Sequence, residues 1–223
     1  MLVKKKVLMF DWDGTLFDSM AVKEKTFSEV VYSYLSSRNH EIIPKHVVEL
    51  YRKFSGAPRA EIFHKIAKHY NILLLSDQDI SNMSTMLTKK NETALLESQM
   101  FPDAMMLLTA LNATPFKIYI SSSVPKEELY PLAKRNIPPN ILPRIADIFG
   151  SEAGFSKGKE HVANVLRQEQ CGPEACIMFG DDEADMVLSK DAGIDSVLID
   201  RTGIHSASSW KRISSFKEVI ACL

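Results

Sequence analysis

The sequence predicts an α/β fold in which a parallel sheet is interrupted by an all-helical insertion. Short apolar runs of about four to six residues, typical of buried strands and too short for helices, occur near the start of the chain and again in its second half. Between them the apolar residues recur mainly at helical spacing. We therefore expect a catalytic core of residues 1–17 and 104–223 and a helical domain of residues 18–103.

The strands expected in the core are Val7–Phe10, Phe116–Ile120, Ile145–Gly150, Cys176–Phe179 and Ser196–Ile199. The helices expected in the insertion are Lys23–Leu35, His46–Phe54, Ala60–Tyr70 and Ser76–Leu96. The segment Phe101–Asp103 reads as the linker that returns to the core, because Pro102 disfavours a helical residue before it.

Two carboxylates, Asp11 and Asp13, follow the first predicted strand directly and precede Gly14 and Thr15. In an open α/β sheet, ligands bind outside the carboxyl ends of the strands. Carboxylates this close repel each other unless a cation or a shared proton separates them, and hard oxygen ligands favour Mg²⁺. The alternative is a simple turn, since Asp and Gly are common turn residues.

A second acidic cluster, residues 180–185, follows the strand Cys176–Phe179. Asp181 and Asp185 are four residues apart and share one face if the segment is helical. Acids in a first helical turn also suit the helix dipole, which explains one of them. Four acids within five residues would repel one another without a cation, so the two acidic clusters together suggest one metal site.

Two further segments carry groups that suit an anion. Ser121–Ser123 follow a predicted strand, and their hydroxyl and backbone N–H groups could hold phosphate oxygens, although a serine triplet is usually only a loop. Lys157 and Lys159 precede a helical pattern, where the dipole disfavours a cation. Such a position hints at a local anion, although most surface lysines are merely solvated.

Taken in order, these segments resemble the motifs of the haloacid dehalogenase superfamily phosphatases, in particular the phosphoglycolate phosphatase and β-phosphoglucomutase group. The resemblance covers nearly the whole chain and implies a Rossmann-like core with a helical C1-type cap. The first motif corresponds to Phe10–Thr15, the second to Ser122 with Ser123 as second choice, the third to Lys157 with Lys159 as fallback, and the fourth to Gly180, Asp181 and Asp185. The third motif departs from the family pattern, because Gly158 stands where a proline is expected.

The resemblance implies a Mg²⁺-dependent hydrolase of small phosphate monoesters that works through an aspartyl phosphate on Asp11. Asp13 would be the general acid and base, and Ser122, Ser123 and Lys157 would hold the transferring oxygens. The metal ligands would be Asp11, the backbone carbonyl of Asp13, and Asp181, with Asp182 contributing directly or through water. Asp185 would orient Lys157 or the surrounding groups.

Arg59 is a further predicted substrate contact. The segment Phe54–Arg59 breaks two helical patterns with Gly and Pro and then places Arg59 at the start of a helix. Similar Gly-x-x-Arg loops occur in caps of related sugar-phosphate enzymes. The alternative is a solvated arginine beside a tight turn.

Competing functions are a phosphosugar mutase, a dehalogenase and a non-catalytic metal-binding module. Superfamily dehalogenases lack the second acid of the first motif, so Asp13 argues against them. Related mutases carry a histidine in the first cap helix, where this chain has Lys23. The binding module is disfavoured because every catalytic position is filled.

Composition fits an enzyme acting on a small molecule in the cytoplasm. The net charge of −1 does not indicate nucleic acid or an anionic membrane as a partner. No apolar stretch reaches the roughly 18 residues that a membrane span requires. Three cysteines, without zinc-site spacing, suit a reducing compartment. The oligomeric state and the particular phosphate ester stay open.

Overall fold

The computed structural model describes residues 2–54, 56–72 and 75–223. The chain divides into two compact units, one of Met1–Asp18 with Gln99–Leu223 and the other of Ser19–Ser98. The predicted boundaries fall after residues 17 and 103, whereas these divisions fall after Asp18 and Ser98. The second differs because Pro102 begins a helix of the α/β unit, a position where its missing N–H costs nothing.

The α/β unit is built on a parallel sheet with the strand order β3-β2-β1-β4-β5-β6. Its strands are β1 Val7–Phe10, β2 Lys117–Pro125, β3 Ile145–Ser151, β4 Cys176–Gly180, β5 Asp195–Ile199 and β6 Arg212–Ile213. The predicted fold class is therefore confirmed. The short edge strand β6 was not predicted, since two residues are too few for a hydrophobic pattern.

The register of the three central strands places the last residue of β1 level with residues of both neighbouring strands. Phe10, the last residue of β1, pairs with Ile120 of β2 on one side and with Phe179 of β4 on the other. The N–H of Asp11 continues this ladder by donating to the carbonyl of Phe179 at 2.9 Å. The residues that come after these three aligned positions consequently lie at one edge of the sheet.

Alternate residues of β1 pack on opposite faces of the sheet, as the period of a strand requires. Val7 and Met9 belong to a buried cluster with Tyr119 and Phe149. On the other face, the Phe10 ring stacks on Phe179 at 5.2 Å between centroids. The strand is buried along its whole length, which explains why its sequence is apolar throughout rather than alternating.

The helices of the α/β unit are α5 Pro102–Leu111, α6 Lys126–Asn136, α7 Lys159–Gln168, α8 Glu183–Asp191 and the short α9 Lys217–Ile220. Those of the helical unit are α1 Met20–Ser36, α2 Pro44–Lys53, α3 Arg59–His69 and α4 Asp77–Ala94. Within the described ranges, no helix combines the length and the apolar character needed to cross a membrane.

The helical unit has a hydrophobic core of its own. The rings of Phe27 on α1 and Phe63 on α3 stack at 4.9 Å within a buried apolar cluster that also includes Val47. A capping box starts α4, in which Ser76 accepts a hydrogen bond from the N–H of Asp79 and Asp79 accepts one from the N–H of Ser76. The helices that contribute residues to this core, α1 to α4, are those predicted from the 3.6-residue period.

Truncating Phe63 tests whether this aromatic stack stabilises the helical unit. Because Phe63 is 1% exposed, Phe63→Ala should lower the free energy of unfolding by about 3–5 kcal/mol, measured by urea denaturation followed by circular dichroism. Tyr32→Ala, on the same unit but at a side chain 46% exposed, should change it by less than about 0.5 kcal/mol. Equal losses in the two variants would contradict this assignment of the core.

Candidate active site

The candidate site lies at the carboxyl edge of the central strands. Asp11 directly follows β1, and Asp181 directly follows Gly180, the last residue of β4. Ser121–Ser123 were expected after the strand that ends at Ile120, with a loop as the alternative, and they lie within β2, beyond Ile120, its last partner of β1. Strand β2 continues because Ser121 and Pro125 pair with β3.

Lys157 is the lysine that enters the site. Its Nζ lies 2.8 Å from Oδ1 of Asp11 and also forms an ion pair with Oδ1 of Asp185. The three side chains are nearly inaccessible, with exposed fractions of 6% for Lys157, 9% for Asp11 and 2% for Asp185. Lys159, the alternative considered above, is exposed on the first turn of α7.

The backbone around Lys157 differs from the expected one. Lys157 was predicted to open a helix, but it lies in a turn, and the helix begins at Lys159 after Gly158. Gly158 has φ +108°, and a Cβ there would lie 3.0 Å from Cδ2 of Leu188. A residue with a side chain rarely adopts this backbone, so the glycine permits the turn that carries Lys157 into the site.

Three carboxylates lie close enough to share one cation. Asp11, Asp181 and Asp185 can each offer an oxygen such that these atoms lie within 4.8 Å of one another. The hydroxyl of Thr15 donates to Oδ1 of Asp181 at 3.1 Å. The carboxylates therefore come from both acidic clusters of the sequence, as the two-cluster hypothesis proposed.

Glycines make room for two of these carboxylates. Gly14 has φ +73°, and a Cβ built on it would lie 2.0 Å from Oδ2 of Asp181. A Cβ on Gly180 would lie 2.2 Å from Oδ2 of Asp185. A larger residue at either position would displace an acid, which gives a steric reason for the glycine in each motif.

Burial perturbs the acid–base behaviour of the cluster. Burial raises the pKa of Asp11 to about 7, an effect that Lys157 opposes and that the charges of Asp185 and Asp13 reinforce. Burial, together with the nearby Asp11 and Asp185, raises the pKa of Asp181 well above its usual range. Burial alone would lower the pKa of Lys157, but Asp11 and Asp185 outweigh it and raise that pKa.

The cluster thus places three carboxylates close together, two of them in ion pairs with the ammonium group of Lys157. Ionising all of them leaves an excess of buried negative charge, which a divalent cation with oxygen ligands would neutralise. The donor set, consisting only of hard carboxylate oxygens, fits Mg²⁺.

The two other predicted metal ligands are placed differently. Oδ1 of Asp182 accepts a hydrogen bond from the N–H of Ala184 at 2.8 Å and so caps α8. The half-buried Asp13 lies in the turn after β1 and forms an isolated bridge with Phe17. The carboxylates of both residues lie outside the triad of Asp11, Asp181 and Asp185, and their roles stay predictions.

The predicted substrate contacts occupy both units. Ser122 is buried, and its Oγ accepts a hydrogen bond from the N–H of Val124 at 3.2 Å, while Ser123 is half-buried. In the helical unit, Arg59 begins α3 and donates from Nη1 to Oγ1 of Thr88 at 2.9 Å. Ser55, within the loop before Arg59, lies outside the described residues.

Sequence reasoning missed Arg201, which contacts the backbone of the first motif next to the site. Arg201, two residues after β5, donates from Nη2 to the backbone carbonyl of Thr15 at 2.9 Å and pairs through Nη1 with Asp103. A single arginine after a terminal strand has no local pattern that would single it out.

Comparison with known sequences gives named relatives over nearly the full length. The chain is 25% identical to enolase-phosphatase E1 of Sordaria macrospora over 228 residues, covering 96% of this chain and 97% of that protein. It is 26% identical to a phosphoglycolate phosphatase of Colwellia psychrerythraea over 206 residues, covering 88% of this chain and 84% of that protein. These names agree with the prediction of a phosphatase.

Solved structures share the fold. A haloacid dehalogenase-like family hydrolase from Streptococcus pneumoniae superposes with a TM-score of 0.75 at 22% identity, covering 99% of both chains. A hydrolase from Pseudomonas syringae superposes with a TM-score of 0.76 at 16% identity, covering 98% of this chain and 97% of that one.

The sequence model of one family, described as haloacid dehalogenase-like hydrolase, matches residues 8–199. This range includes the four motifs and the site residues built from them. The chain is therefore a member of the haloacid dehalogenase-like hydrolase family, which confirms the predicted family and the prediction of an enzyme.

Proposed function

We propose that this protein is a Mg²⁺-dependent phosphatase that hydrolyses small phosphate monoesters through an aspartyl phosphate on Asp11. The observation that carries the proposal is the contact of Lys157 with Asp11 beside the triad of Asp11, Asp181 and Asp185. The names of the relatives, enolase-phosphatase and phosphoglycolate phosphatase, support a small phosphorylated substrate. We place this activity in the cytoplasm, without a nucleic-acid or membrane partner.

Asp11 is the proposed nucleophile. A carboxylate oxygen of Asp11 attacks phosphorus, a bond forms between that oxygen and phosphorus, and the bond from phosphorus to the substrate oxygen breaks. Lys157 favours the ionised form of Asp11, because its ammonium group is 2.8 Å away and almost inaccessible to water. The same charge then stabilises oxygens of the transferring group.

Asp13 is the proposed general acid and base. It donates a proton to the departing alcohol oxygen and later takes one from the water that hydrolyses the phosphoenzyme. Its position two residues after the nucleophile, half-buried at the same strand end, supports this assignment.

Carboxylates of Asp11 and Asp181, with the backbone carbonyl of Asp13, are the proposed ligands of Mg²⁺. When bound, the ion supplies positive charge that offsets the repulsion between the acids and the charge of the phosphoryl group. Asp185 holds Lys157 through their ion pair and so acts as a positioning residue. Asp182, which caps α8 through Oδ1, is proposed to contribute to the metal site directly or through water.

The proposed substrate contacts are Ser122, Ser123 and Lys157 for the phosphoryl oxygens and Arg59 for the rest of the molecule. The position of Ser121–Ser123 directly beyond Ile120, the residue of β2 that pairs with the end of β1, supports the first assignment. For Arg59 the support is the family resemblance of its loop, since the contacts described for its Nη1 are with Thr88 and the carbonyl of Ser84.

Replacing the nucleophile tests the proposed chemistry. Asp11→Asn should lower the rate of phosphate release from p-nitrophenyl phosphate by at least about 10³-fold, because an amide does not form the acyl phosphate. The matched control is Asp191→Asn, which changes an exposed acid at the end of α8 and should leave the rate unchanged. Normal activity in Asp11→Asn would overturn the proposal. Transfer of phosphate within a sugar phosphate, with none released to water, would instead favour a mutase.

Removing the metal tests the proposed cofactor. Activity should vanish in excess EDTA and return with Mg²⁺. Mg²⁺ at 100 times its dissociation constant should also stabilise the wild-type fold by about 2.7 kcal/mol, measured as a rise in melting temperature. Asp181→Asn should lose most of this rise, and Asp191→Asn should keep it. Full activity in the chelator would contradict a metal requirement.

The raised pKa values predict how the metal-free protein responds to pH. Asp11 has a folded pKa of about 7 against an ordinary value of 3.8, so between these values the folded state holds a proton that the unfolded chain releases. Stability should therefore fall as the pH rises through that window. In EDTA, the melting temperature of the wild type should decline more between pH of about 5 and about 8 than that of Asp11→Asn. Because Mg²⁺ binds the ionised acids, it should raise the melting temperature most at the upper end. A wild-type decline no steeper than that of the variant would contradict the buried, protonated Asp11.

A further inference from the structure

Arg201 is fixed by contacts on three sides of its guanidinium group. Nη1 lies 2.8 and 2.7 Å from the two carboxylate oxygens of Asp103, and Nη2 donates to the carbonyl of Thr15 at 2.9 Å. Its Cζ lies 4.0 Å from the centre of the Phe101 ring, which adds a cation–π contact. Because the guanidinium group is planar and rigid, these contacts leave Nη2, the donor to Thr15, little freedom to move.

Asp103 is an anchor that is itself firmly held. Oδ2 accepts hydrogen bonds from Oγ of Ser215 at 2.7 Å and from the N–H of Phe216 at 2.8 Å. Burial would raise the pKa of Asp103, but the hydrogen bonds from Arg201, Ser215 and Phe216 outweigh it and lower that pKa. Asp103 is thus a charged partner for Arg201 at neutral pH, and it belongs to α5, outside the acidic cluster.

Thr15 is hydrogen-bonded both to Arg201 and to Asp181 of the acidic cluster, so it connects the two. Its carbonyl accepts from Arg201, and its fully buried side chain donates from Oγ1 to Oδ1 of Asp181 at 3.1 Å. The backbone of the adjacent Gly14 packs closely against Oδ2, the other carboxylate oxygen of Asp181, since a Cβ on Gly14 would lie 2.0 Å from it. A displacement of the Thr15 backbone would therefore move the hydroxyl and loosen the orientation of the Asp181 carboxylate.

We propose that Arg201 is a positioning residue for the metal site, acting through the carbonyl and hydroxyl of Thr15 to orient Asp181 for a divalent cation. This inference rests on the proposed role of Asp181 as a Mg²⁺ ligand. Hydrogen bonds to a ligating carboxylate fix its orientation, and their loss typically weakens metal binding by about 10- to 100-fold. Arg201 touches neither substrate nor metal in this scheme.

Mg²⁺ binding to the full-length protein, measured by isothermal titration calorimetry, tests the inference without reference to activity. Arg201→Lys keeps a cation opposite Asp103 but loses the fork that reaches Thr15, and should raise the Mg²⁺ dissociation constant by about 10-fold. Thr15→Val removes the hydroxyl at nearly constant shape and should raise it to a similar extent, while Thr15→Ser should restore most of the affinity. The matched control is Arg144→Lys, at an arginine that donates to the carbonyl of Thr114 at 2.9 Å away from this edge of the sheet, and it should bind as the wild type does.

The double variant separates positioning from a general loss of stability. If Arg201 acts through Thr15, Arg201→Lys combined with Thr15→Val should bind Mg²⁺ no more weakly than the poorer single variant. Losses that multiply, or a folded Arg201→Lys with wild-type affinity, would overturn the inference. A lower melting temperature of the metal-free protein with an unchanged dissociation constant would show a merely structural role and overturn it too.

A second variant serves if Arg201→Lys does not fold. Asp103→Asn retains Arg201 beside a neutral partner and should weaken Mg²⁺ binding in the same direction, and unchanged affinity there would count against the inference. A wild-type protein that takes up no Mg²⁺ would refute the proposed function and the inference with it. If the wild type and Arg201→Lys both bind Mg²⁺ with equal affinity, the inference is refuted and the proposed function is not.

Discussion

The crowding of carboxylates at one edge of the sheet is the constraint on which the rest of the site depends. Asp11, Asp181 and Asp185 offer oxygens within 4.8 Å of one another, and the side chains of Asp11 and Asp185 are nearly inaccessible to water. Such an arrangement is costly unless positive charge lies among the acids. Lys157 supplies one such charge, and Gly14, Gly180 and Gly158 let the backbone bring the acids and the lysine together without collision.

The parts of the fold that the sequence predicted are those set by local pattern. The apolar strand Val7–Phe10 and the helical spacing of the insertion depend on residues close in sequence, and both occur as expected. The meeting of Asp11 with Asp181 followed from a general property of parallel sheets, that their strand ends share one edge.

The parts that could not be predicted depend on contacts between residues distant in sequence. Strand β2 runs to Pro125 through the serine triplet because β3 offers it a further partner, and no local preference of serine indicates that. Asp182 and Asp181 are neighbours of the same type, yet one caps α8 and the other joins the carboxylate cluster. Arg201 and Asp103 are 98 residues apart in the sequence, and only the folded backbone brings them together.

The strand order also bears on how the chain acquires its fold. Strand β1 is made first, but its neighbours begin at Lys117 and Cys176, after the whole helical unit has been synthesised. Pairings this distant close slowly, because a long loop must be ordered before the contacts compensate for it. The helical unit has a hydrophobic core of its own, and all its residues precede both partner strands of β1 in the chain. An apolar strand of four residues would meanwhile be exposed, and its shortness limits the surface that it offers to other chains during that interval.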